Sequence, residues 1–268
     1  MNLSLAFSPC PNDTFLFGAI ALGLVSLPGV RWEIHHLDIE TLNEHALEGR
    51  FDVTKLSVHA WLSARRQYRL LNVGSAFTDH EGPVLVANRA CSPDQLKDRR
   101  LVFPGRHTTA YLLYRIMVPE MGGDHHFLPY DQIVPAVASG RFDAGVIIHE
   151  TRFTFAGQGL HLVADLGHWW RELTGLPLPL GCCVMRSSLY PDWGTQVETL
   201  MTQSLAKADE HGAGLDDYIR AHARELSPDV LQRHIQLFVN HYTRGPGSRG
   251  WNAMQELEHR AQQVGIVS

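Results

Sequence analysis

Apolar residues in the first half of the chain show two kinds of spacing, one typical of strands and one typical of helices. Apolar or alternating runs at residues 3–7, 30–36 and 53–56 predict strands. Between the last two runs, Leu42 and Ala46 lie four residues apart, a spacing that predicts an amphipathic helix. Alternation of strands with helices is typical of α/β domains with a mainly parallel sheet.

One four-residue turn, Gly-Arg-Phe-Asp, precedes a buried apolar run at two places in the chain. The copies lie at residues 49–52 and 140–143, and a separation of about 90 residues is too wide for a solenoid repeat. The run after the first copy carries Lys55 and Ser57, and the run after the second copy ends at His149. We therefore expect two similar α/β halves, each with polar residues at the carboxyl end of a strand, where open α/β sheets bind ligands.

Each half also contains a turn between a strand and a helix that could hold an anion. In the first half, Asn12 or Asp13 is suited to cap the following helix. In the second half, Thr108 and Thr109 supply hydroxyl and N–H groups at a helix start. Arg106, just before them, serves either an anion or a solvated turn. The alternative for both segments is a well-capped connection without a ligand.

The last apolar strand, at residues 180–185, is followed only by segments with helical patterns. We interpret this strand as a return crossing from the second half to the first. The prediction is a discontinuous larger α/β domain of residues 1–84 plus 181–268 and a smaller α/β domain of residues 85–180. Central mixed sheets with flanking helices and a cleft between the domains complete the expected architecture.

Composition limits the classes of partner. The chain of 268 residues has a net charge of −5 and no run of Lys or Arg, which argues against nucleic acid. Its start lacks the pattern of a secretory signal, and the longest apolar stretch, residues 15–27, is too short to cross a membrane. The four cysteines form no paired C-x-x-C motif, so we expect a cytoplasmic protein without a disulfide framework or a membrane partner.

Sequence motifs for common cofactors and nucleophiles are either absent or lie in segments that do not suit their function. Residues 245–250 match G-x-G-x-x-G, but they follow a helix and contain Pro, so a dinucleotide loop is not expected. Neighbouring histidines on predicted strands point to opposite faces, and H-E-x-x-H is absent from the sequence, so no metal is expected. Cys10 precedes Pro11 without an evident His partner in sequence, and the Cys182–Cys183 pair is most simply core packing.

His149 is the sharpest candidate for chemistry because it follows a wholly apolar strand at the expected site. Imidazole, with an ordinary pKa near 6.5, can act as a general base at neutral pH. Lys55 and Ser57 lie on one face of the other strand end, where Lys55 could meet a carboxylate that the hydroxyl helps to orient. A structural role for His149, among 16 histidines, and a salt bridge at the sheet edge for Lys55 stay open.

Five segments, in this order along nearly the whole chain, resemble the 1,4-dihydroxy-6-naphthoate synthase family of the futalosine route to menaquinone. They are residues 8–15 (SPCPNDTF), 54–57 (TKLS), 104–111 (PGRHTTAY), 145–150 (GVIIHE) and 174–181 (TGLPLPLG). The resemblance implies a two-domain type II periplasmic-binding-protein-like fold, used as a cytoplasmic enzyme without metal or organic cofactor. The implied substrate, small, anionic and bicyclic, is cyclic dehypoxanthinyl futalosine, which is cleaved to 1,4-dihydroxy-6-naphthoate and dihydroxyacetone.

The resemblance also implies roles for particular residues. His149 would be the proton acceptor, and two segments would bind substrate: Lys55, Leu56 and Ser57 in one, Thr109 and Ala110 in the other. Our own hypothesis adds that helix-start N–H groups at residues 108–110 and near residues 12–14, with Lys55, hold the carboxylate and the developing oxyanions. Chorismate dehydratase of the same pathway and a non-catalytic small-carboxylate-binding protein are the alternatives. The oligomeric state stays open, with a homodimer as one option.

Overall fold

The computed structural model describes residues 1–120, 122–223 and 227–267. These residues form two compact units. The first unit comprises Met1–Phe77 and Gly181–Ser248, and the second comprises Thr78–Leu180 and the segment from Arg249 onward. The predicted domain boundaries stay a prediction, and the compact units differ from them by joining residues 78–84 and the last helix to the second unit.

The first unit contains a six-stranded sheet and seven of the helices. Its strands are β1 (Asn2–Phe7), β2 (Arg31–His36), β3 (Val53–Ser57), β4 (Tyr68–Leu70), β5 (Ala76–Thr78) and β11 (Leu178–Arg186). Its helices are α1 (Pro11–Ala21), α2 (Ile39–Leu47), α3 (Val58–Ala64), α7 (Tyr190–Asp209), α8 (Ala213–His222), α9 (Pro228–Phe238) and α10 (His241–Arg244).

The second unit contains a five-stranded sheet, four helices and three short 3-10 helices. Its strands are β6 (Val84–Ala87), β7 (Leu101–Phe103), β8 (His125–Phe127), β9 (Ala144–Ile147) and β10 (His161–Asp165). Its helices are α4 (Thr109–Met117), α5 (Tyr130–Ala138), α6 (Leu166–Thr174) and α11 (Gly247–Gln263). The 3-10 helices are Pro93–Leu96, His149–Phe153 and Phe155–Gln158.

The two sheets repeat one topology. The first has the order β2-β1-β3-β11-β4, with β5 also paired to β11, and the second has the order β10-β6-β9-β7-β8. β1 is parallel to β2 and β3, whereas β11 is antiparallel to β3. In the same way β7 is parallel to β8 and β9, whereas β6 is antiparallel to β9. This correspondence confirms the prediction of two similar α/β halves with mixed sheets.

The repeated Gly-Arg-Phe-Asp turn has the same structural role in both units. Gly49 and Gly140 both have left-handed backbone, with φ of 67° and 76°, which glycine adopts without steric cost. The Asp at the end of each turn then accepts a backbone N–H from the adjacent strand segment. Asp52 Oδ2 accepts from Ser4 N at 2.9 Å, and Asp143 Oδ2 accepts from Arg100 N at 3.1 Å. The carboxylate therefore ties β3 to β1 in one unit and β9 to the start of β7 in the other.

Helix α1 is buried on almost every side, which holds the segment at its start in place. Its residues Leu16 and Phe17 belong to an apolar core that also includes Leu200 of α7 and Leu215 of α8. A helix that is apolar around its whole circumference is stable only inside a core. In the described ranges, no helix combines the length and apolarity that a membrane crossing requires.

Helix α11 packs on the second unit through its basic residues. Arg249 donates to the Gly175 carbonyl oxygen at 3.3 Å and lies 3.5 Å from the Asp79 carboxylate. Further along the helix, the Arg260 guanidinium lies 6.0 Å from the ring centroid of Trp170, whose side chain is fully buried. These contacts explain why the C-terminal helix joins the second unit although the chain has just left the first.

Replacing the turn carboxylates should destabilise the protein unequally. Asp52→Ala removes the acceptor of both Ser4 N and Ser4 Oγ, whereas Asp143→Ala removes the acceptor of one more exposed N–H. We expect losses of about 2 and about 1 kcal/mol in the free energy of unfolding, because a buried donor left unsatisfied costs more. Urea denaturation measures both losses. Equal or negligible losses would contradict the tie between strands.

The free energy of unfolding should decrease as the pH falls from about 7 to 5. Burial lowers the pKa of His36, and the imidazoles of His222 and His35 lower it further. Burial and then the charge of Arg115 lower the pKa of His125. Below the ordinary pKa of about 6.5, the unfolded chain therefore binds more protons than the folded protein.

Denaturation at both pH values measures this dependence. His36→Gln should reduce it, because the variant lacks one of the buried imidazoles. His161→Gln, at an exposed strand position, is the matched control for the loss of an imidazole. A protein that is more stable at pH 5 than at pH 7 would refute the expectation.

Candidate active site

The predicted site residues of the first unit lie at one edge of its sheet. β1 and β3 are parallel neighbours, with Leu5 paired to Val53 and Ala6 to Thr54. The loop that follows β1 and the end of β3 therefore reach the same edge. This register brings the residues around Asn12 close to Lys55.

Lys55 forms a buried ion pair with Asp13. The Lys55 Nζ lies 3.2 Å from Asp13 Oδ1 and donates to the Gly74 carbonyl oxygen at 2.8 Å, and both side chains are at most 5% exposed. Burial, the largest single influence, lowers the pKa of Lys55, but the charge and hydrogen bond of Asp13 together with the neighbouring Cys183 and Cys182 raise that pKa above its ordinary value. Lys55 is therefore a fixed positive charge; the salt bridge is present, and the contact of Lys55 with a ligand stays a prediction.

Asp13 is the centre of a polar network rather than a helix cap. It accepts from Ser8 Oγ at 2.7 Å and from Asn12 Nδ2 at 2.8 Å, and Asn12 Oδ1 in turn lies 2.9 Å from Nε2 of the buried His234. The prediction that Asn12 or Asp13 caps the helix was wrong, because α1 begins at Pro11 with Cys10 at the N-cap. Proline at the first helical position needs no N–H partner, which leaves the carboxylate for Lys55.

Leu56 and Ser57 are buried at the end of β3. The Leu56 side chain is fully buried in the core, so only its backbone could meet a ligand. Ser57 exchanges two hydrogen bonds with Asn43 of α2: Ser57 N donates to Asn43 Oδ1 at 2.9 Å, and Asn43 Nδ2 donates to Ser57 Oγ at 3.0 Å. The hydroxyl is thus oriented by Asn43 and does not contact Lys55 in the described hydrogen bonds.

In the second unit, α4 starts at the corresponding edge. β7 and β9 are parallel neighbours, with Leu101 paired to Ala144, so the loop after β7 and the end of β9 reach one edge. The Thr108 side chain caps α4 by accepting from Tyr111 N at 3.2 Å. Thr109 and Ala110 form the first turn, whose N–H groups have no acceptor within the helix itself. The predicted helix start is confirmed.

Arg106 and the threonine hydroxyls make contacts inside the second unit. The Arg106 guanidinium is exposed and lies 4.8 Å from the ring centroid of Phe127, a cation–π contact. Thr108 Oγ1 donates to the Gly105 carbonyl oxygen and Thr109 Oγ1 to the Leu180 carbonyl oxygen, both at 2.8 Å. Their hydroxyl protons are therefore engaged with the backbone, and the helix-start N–H groups are the better anion donors.

His149 begins the 3-10 helix that follows β9. Its backbone has φ of 58°, a left-handed value that only one other non-glycine residue, His211, shares among the residues described. The imidazole is half-buried and packs edge-on against Tyr130, with ring centroids 4.7 Å apart. Tyr130 in turn donates its hydroxyl to Glu150 Oε1 at 3.1 Å. The imidazole is thus presented at the end of β9, at the same sheet edge as the start of α4.

The buried pair Cys182 and Cys183 is unsuited to nucleophilic chemistry. Burial and the neighbouring Cys183 raise the pKa of Cys182, and burial raises the pKa of Cys183 to about 12. A protonated thiol is a weak nucleophile. Across the described ranges, no group of three His, Cys, Asp or Glu side chains could hold a metal ion.

Three residues that support the site were not evident from the sequence. Asn43, His234 and Tyr130 each contact a predicted site residue from another element. Tyr130 is in a helix start, and Asn43 and His234 lie inside amphipathic helices. The one signal in the sequence was burial, since Asn43 and His234 fall among apolar positions of their helices, where a polar side chain needs a partner.

The chain is similar to known proteins over its whole length. A family model described as menaquinone biosynthesis matches residues 3–263. Proteins named 1,4-dihydroxy-6-naphthoate synthase from Thermus thermophilus and Streptomyces coelicolor are 42% and 38% identical, over 99% of this chain and 96% and 95% of theirs.

Solved structures show the same fold. The protein AF1704 from Archaeoglobus fulgidus is 33% identical, with a TM-score of 0.91 over 99% of this chain and 98% of its own. A periplasmic aliphatic sulphonate-binding protein from Escherichia coli, only 11% identical, has a TM-score of 0.68 over 99% of this chain and 88% of its own. The latter likeness concerns the fold alone, and it confirms the predicted periplasmic-binding-protein-like fold.

Removing one partner of the Lys55–Asp13 pair should destabilise the protein strongly. Lys55→Met or Asp13→Asn should each lower the free energy of unfolding by about 3–5 kcal/mol, because an uncompensated polar or charged group stays buried. The double variant should lose less than the sum of the two. Lys207→Met breaks the exposed pair with Glu210 and should cost less than about 1 kcal/mol. Urea denaturation of the four variants gives the coupling, and additive losses would contradict a paired charge.

Proposed function

Since the chain belongs to the menaquinone-biosynthesis family, we propose that it is a 1,4-dihydroxy-6-naphthoate synthase, a carbon–carbon lyase. Its substrate is cyclic dehypoxanthinyl futalosine, and its products are 1,4-dihydroxy-6-naphthoate and dihydroxyacetone. The observation that carries the proposal is full-length similarity to two proteins with that name. The GVIIHE segment at residues 145–150, whose histidine follows β9, is consistent with it.

The reaction that fits these residues is a cleavage initiated by a base. His149 removes a hydroxyl proton from the sugar-derived ring, and the freed O–H electron pair forms the carbonyl group of the three-carbon unit as a retro-aldol-like step breaks the carbon–carbon bond that holds it. The electron pair of that bond stays on the ring carbon, and aromatisation to the naphthalene diol drives release. The proton then passes from His149 to the naphthalene diol. No net oxidation occurs, so the step is balanced without an added oxidant or reductant.

Anion-binding groups at the two sheet edges support the binding of a carboxylate substrate. In the second unit, the helix-start N–H groups of Thr109 and Ala110, behind the Thr108 cap, can stabilise the carboxylate or a developing oxyanion. In the first unit, Pro11 has no N–H and the N–H groups of Asp13 and Thr14 both donate to the Cys10 carbonyl oxygen at 3.0 Å, which leaves the Asn12 N–H as the donor at the start of α1. Lys55 contributes its positive charge and a third N–H, beyond those directed at Asp13 and Gly74.

Further properties belong to the same proposal. We infer a cytoplasmic enzyme that needs no metal or organic cofactor, because the balanced cleavage can proceed with side-chain groups alone. Its partner is a small anionic bicyclic substrate rather than nucleic acid or a membrane, in keeping with the net charge of −5. A homodimer is compatible with the proposal and is not required by it.

The rival functions are weaker. Chorismate dehydratase would share an anionic carbocyclic substrate, but both named relatives are naphthoate synthases. A non-catalytic carboxylate-binding protein would share the fold, since sulphonate-binding proteins have it. Such a protein would retain its ligand and release no product, and an assay with each substrate distinguishes the three.

Purified protein should convert cyclic dehypoxanthinyl futalosine to a product with the naphthoate chromophore. His149→Ala should lower kcat by about 10²–10⁴-fold, which is the usual contribution of a positioned base, with little change in substrate affinity. His161→Ala, at an exposed position of the same unit, is the control and should keep full turnover. Full turnover by His149→Ala would exclude His149 from the mechanism, and product from chorismate alone would favour the dehydratase.

A further inference from the structure

His149 has an unfavourable backbone conformation that its surroundings must maintain. Left-handed backbone is costly for any residue other than glycine, and it persists where neighbouring contacts over-determine it. The turn itself contributes one such contact, since Thr151 Oγ1 donates to the Ile148 carbonyl oxygen at 2.5 Å. That local bond leaves the direction of the whole turn undetermined. The Tyr130–Glu150 hydrogen bond described above holds the turn from α5, and a further long-range contact holds it from the other end of the 3-10 helix.

Arg152 supplies a long-range contact from within the same 3-10 helix. Its guanidinium lies 3.0 Å from Asp165 Oδ2 and 3.6 Å from Glu81 Oε2, and it also donates to the Gly82 carbonyl oxygen. The side chains of Arg152 and Asp165 are only 9% and 12% exposed. Since ion pairs shielded from water are little weakened by salt, the Arg152–Asp165 pair is a stronger interaction than a surface ion pair.

The acceptor side of this contact is itself held rigidly. Asp165 Oδ1 accepts backbone N–H groups from Gly82 at 3.1 Å, Gly167 at 2.8 Å and His168 at 3.2 Å. Gly82 also packs directly on the start of α6, because a Cβ at Gly82 would lie 2.6 Å from Gly167 N. Arg152 therefore fastens the His149 turn to a strand end, a loop and a helix start at once.

We propose that Arg152, through its ion pair with Asp165, is a positioning residue for His149 in addition to Tyr130. The inference rests on the proposed function for its catalytic consequence. Arg152 does not need to contact substrate: it holds the turn so that residue 149 keeps its left-handed backbone and the imidazole its place. A catalytic group misplaced by about 1 Å can lose 10²-fold in rate, so this contact is expected to affect kcat rather than substrate affinity.

Turnover of cyclic dehypoxanthinyl futalosine tests the catalytic part. Arg152→Gln should lower kcat about 10–100-fold and change KM less than about threefold. Asp165→Asn keeps an oxygen for the α6 cap but loses the ion pair, and it should give the same pattern. Arg171→Gln removes an equal charge from a pair with Asp79 that is one-third exposed and 3.7 Å long, and it should leave both constants unchanged.

The His149→Ala background distinguishes positioning from a general defect. If Arg152 acts through His149, adding Arg152→Gln to His149→Ala should not reduce the residual turnover further. An equal fold-loss in both backgrounds would show that Arg152 serves substrate binding or folding of the unit, and it would overturn the inference.

Stability provides a readout that needs no activity. His149→Gly should unfold at a higher urea concentration than His149→Ala, because glycine accepts the left-handed backbone without cost. The difference in urea concentration between the two variants should disappear when Arg152→Gln is added to both, since the turn is then free to relax. A gap that persists unchanged would overturn the inference whatever the kinetics show. A wild-type protein without turnover would instead count against the proposed function, while the Gly/Ala comparison would still decide the role of Arg152.

Discussion

A carboxylate that accepts a backbone N–H from a neighbouring strand segment is the contact on which both units depend. Asp52 and Asp143 provide it at equivalent points of the two sheets, after turns that only glycine enters easily. Because strand register decides which side chains share a face, these ties determine what reaches the sheet edge. In each unit that edge receives a loop with a helix start and the end of a buried strand. The candidate site residues lie on those two segments.

Patterns with a short range were readable from the sequence. The repeated turn, the strands after it and the threonine cap of α4 each depend on residues within a few positions of one another. Contacts between residues that are distant in sequence could not be predicted. A buried charge needs a partner, but the sequence does not show which residue that partner is. Asp13 looked like a cap until the fold placed Lys55 beside it. Likewise, the amphipathic pattern of α11 shows that one face is covered, but not that the second unit covers it.

The Lys55–Asp13 pair gives the first unit a preorganised charge. An ammonium that already has a carboxylate and a carbonyl oxygen as partners cannot swing toward a ligand, so any ligand must come to it. The ion pair fixes the position of the ammonium group but weakens its attraction for an anionic ligand, because part of the positive charge is already neutralised. His149 follows the same principle in the second unit, where the backbone and not the side chain is held. Both units thus supply groups whose positions are set before a substrate arrives.

The order of strands in the first sheet has a consequence for synthesis on the ribosome. β3 and β4 pair with β11, which is translated only after all five strands of the second unit's sheet. The nascent chain therefore carries an open strand edge for much of its translation, and open edges recruit other strands. A chaperone that shields this edge during elongation would raise the yield of native protein more than one that acts after release.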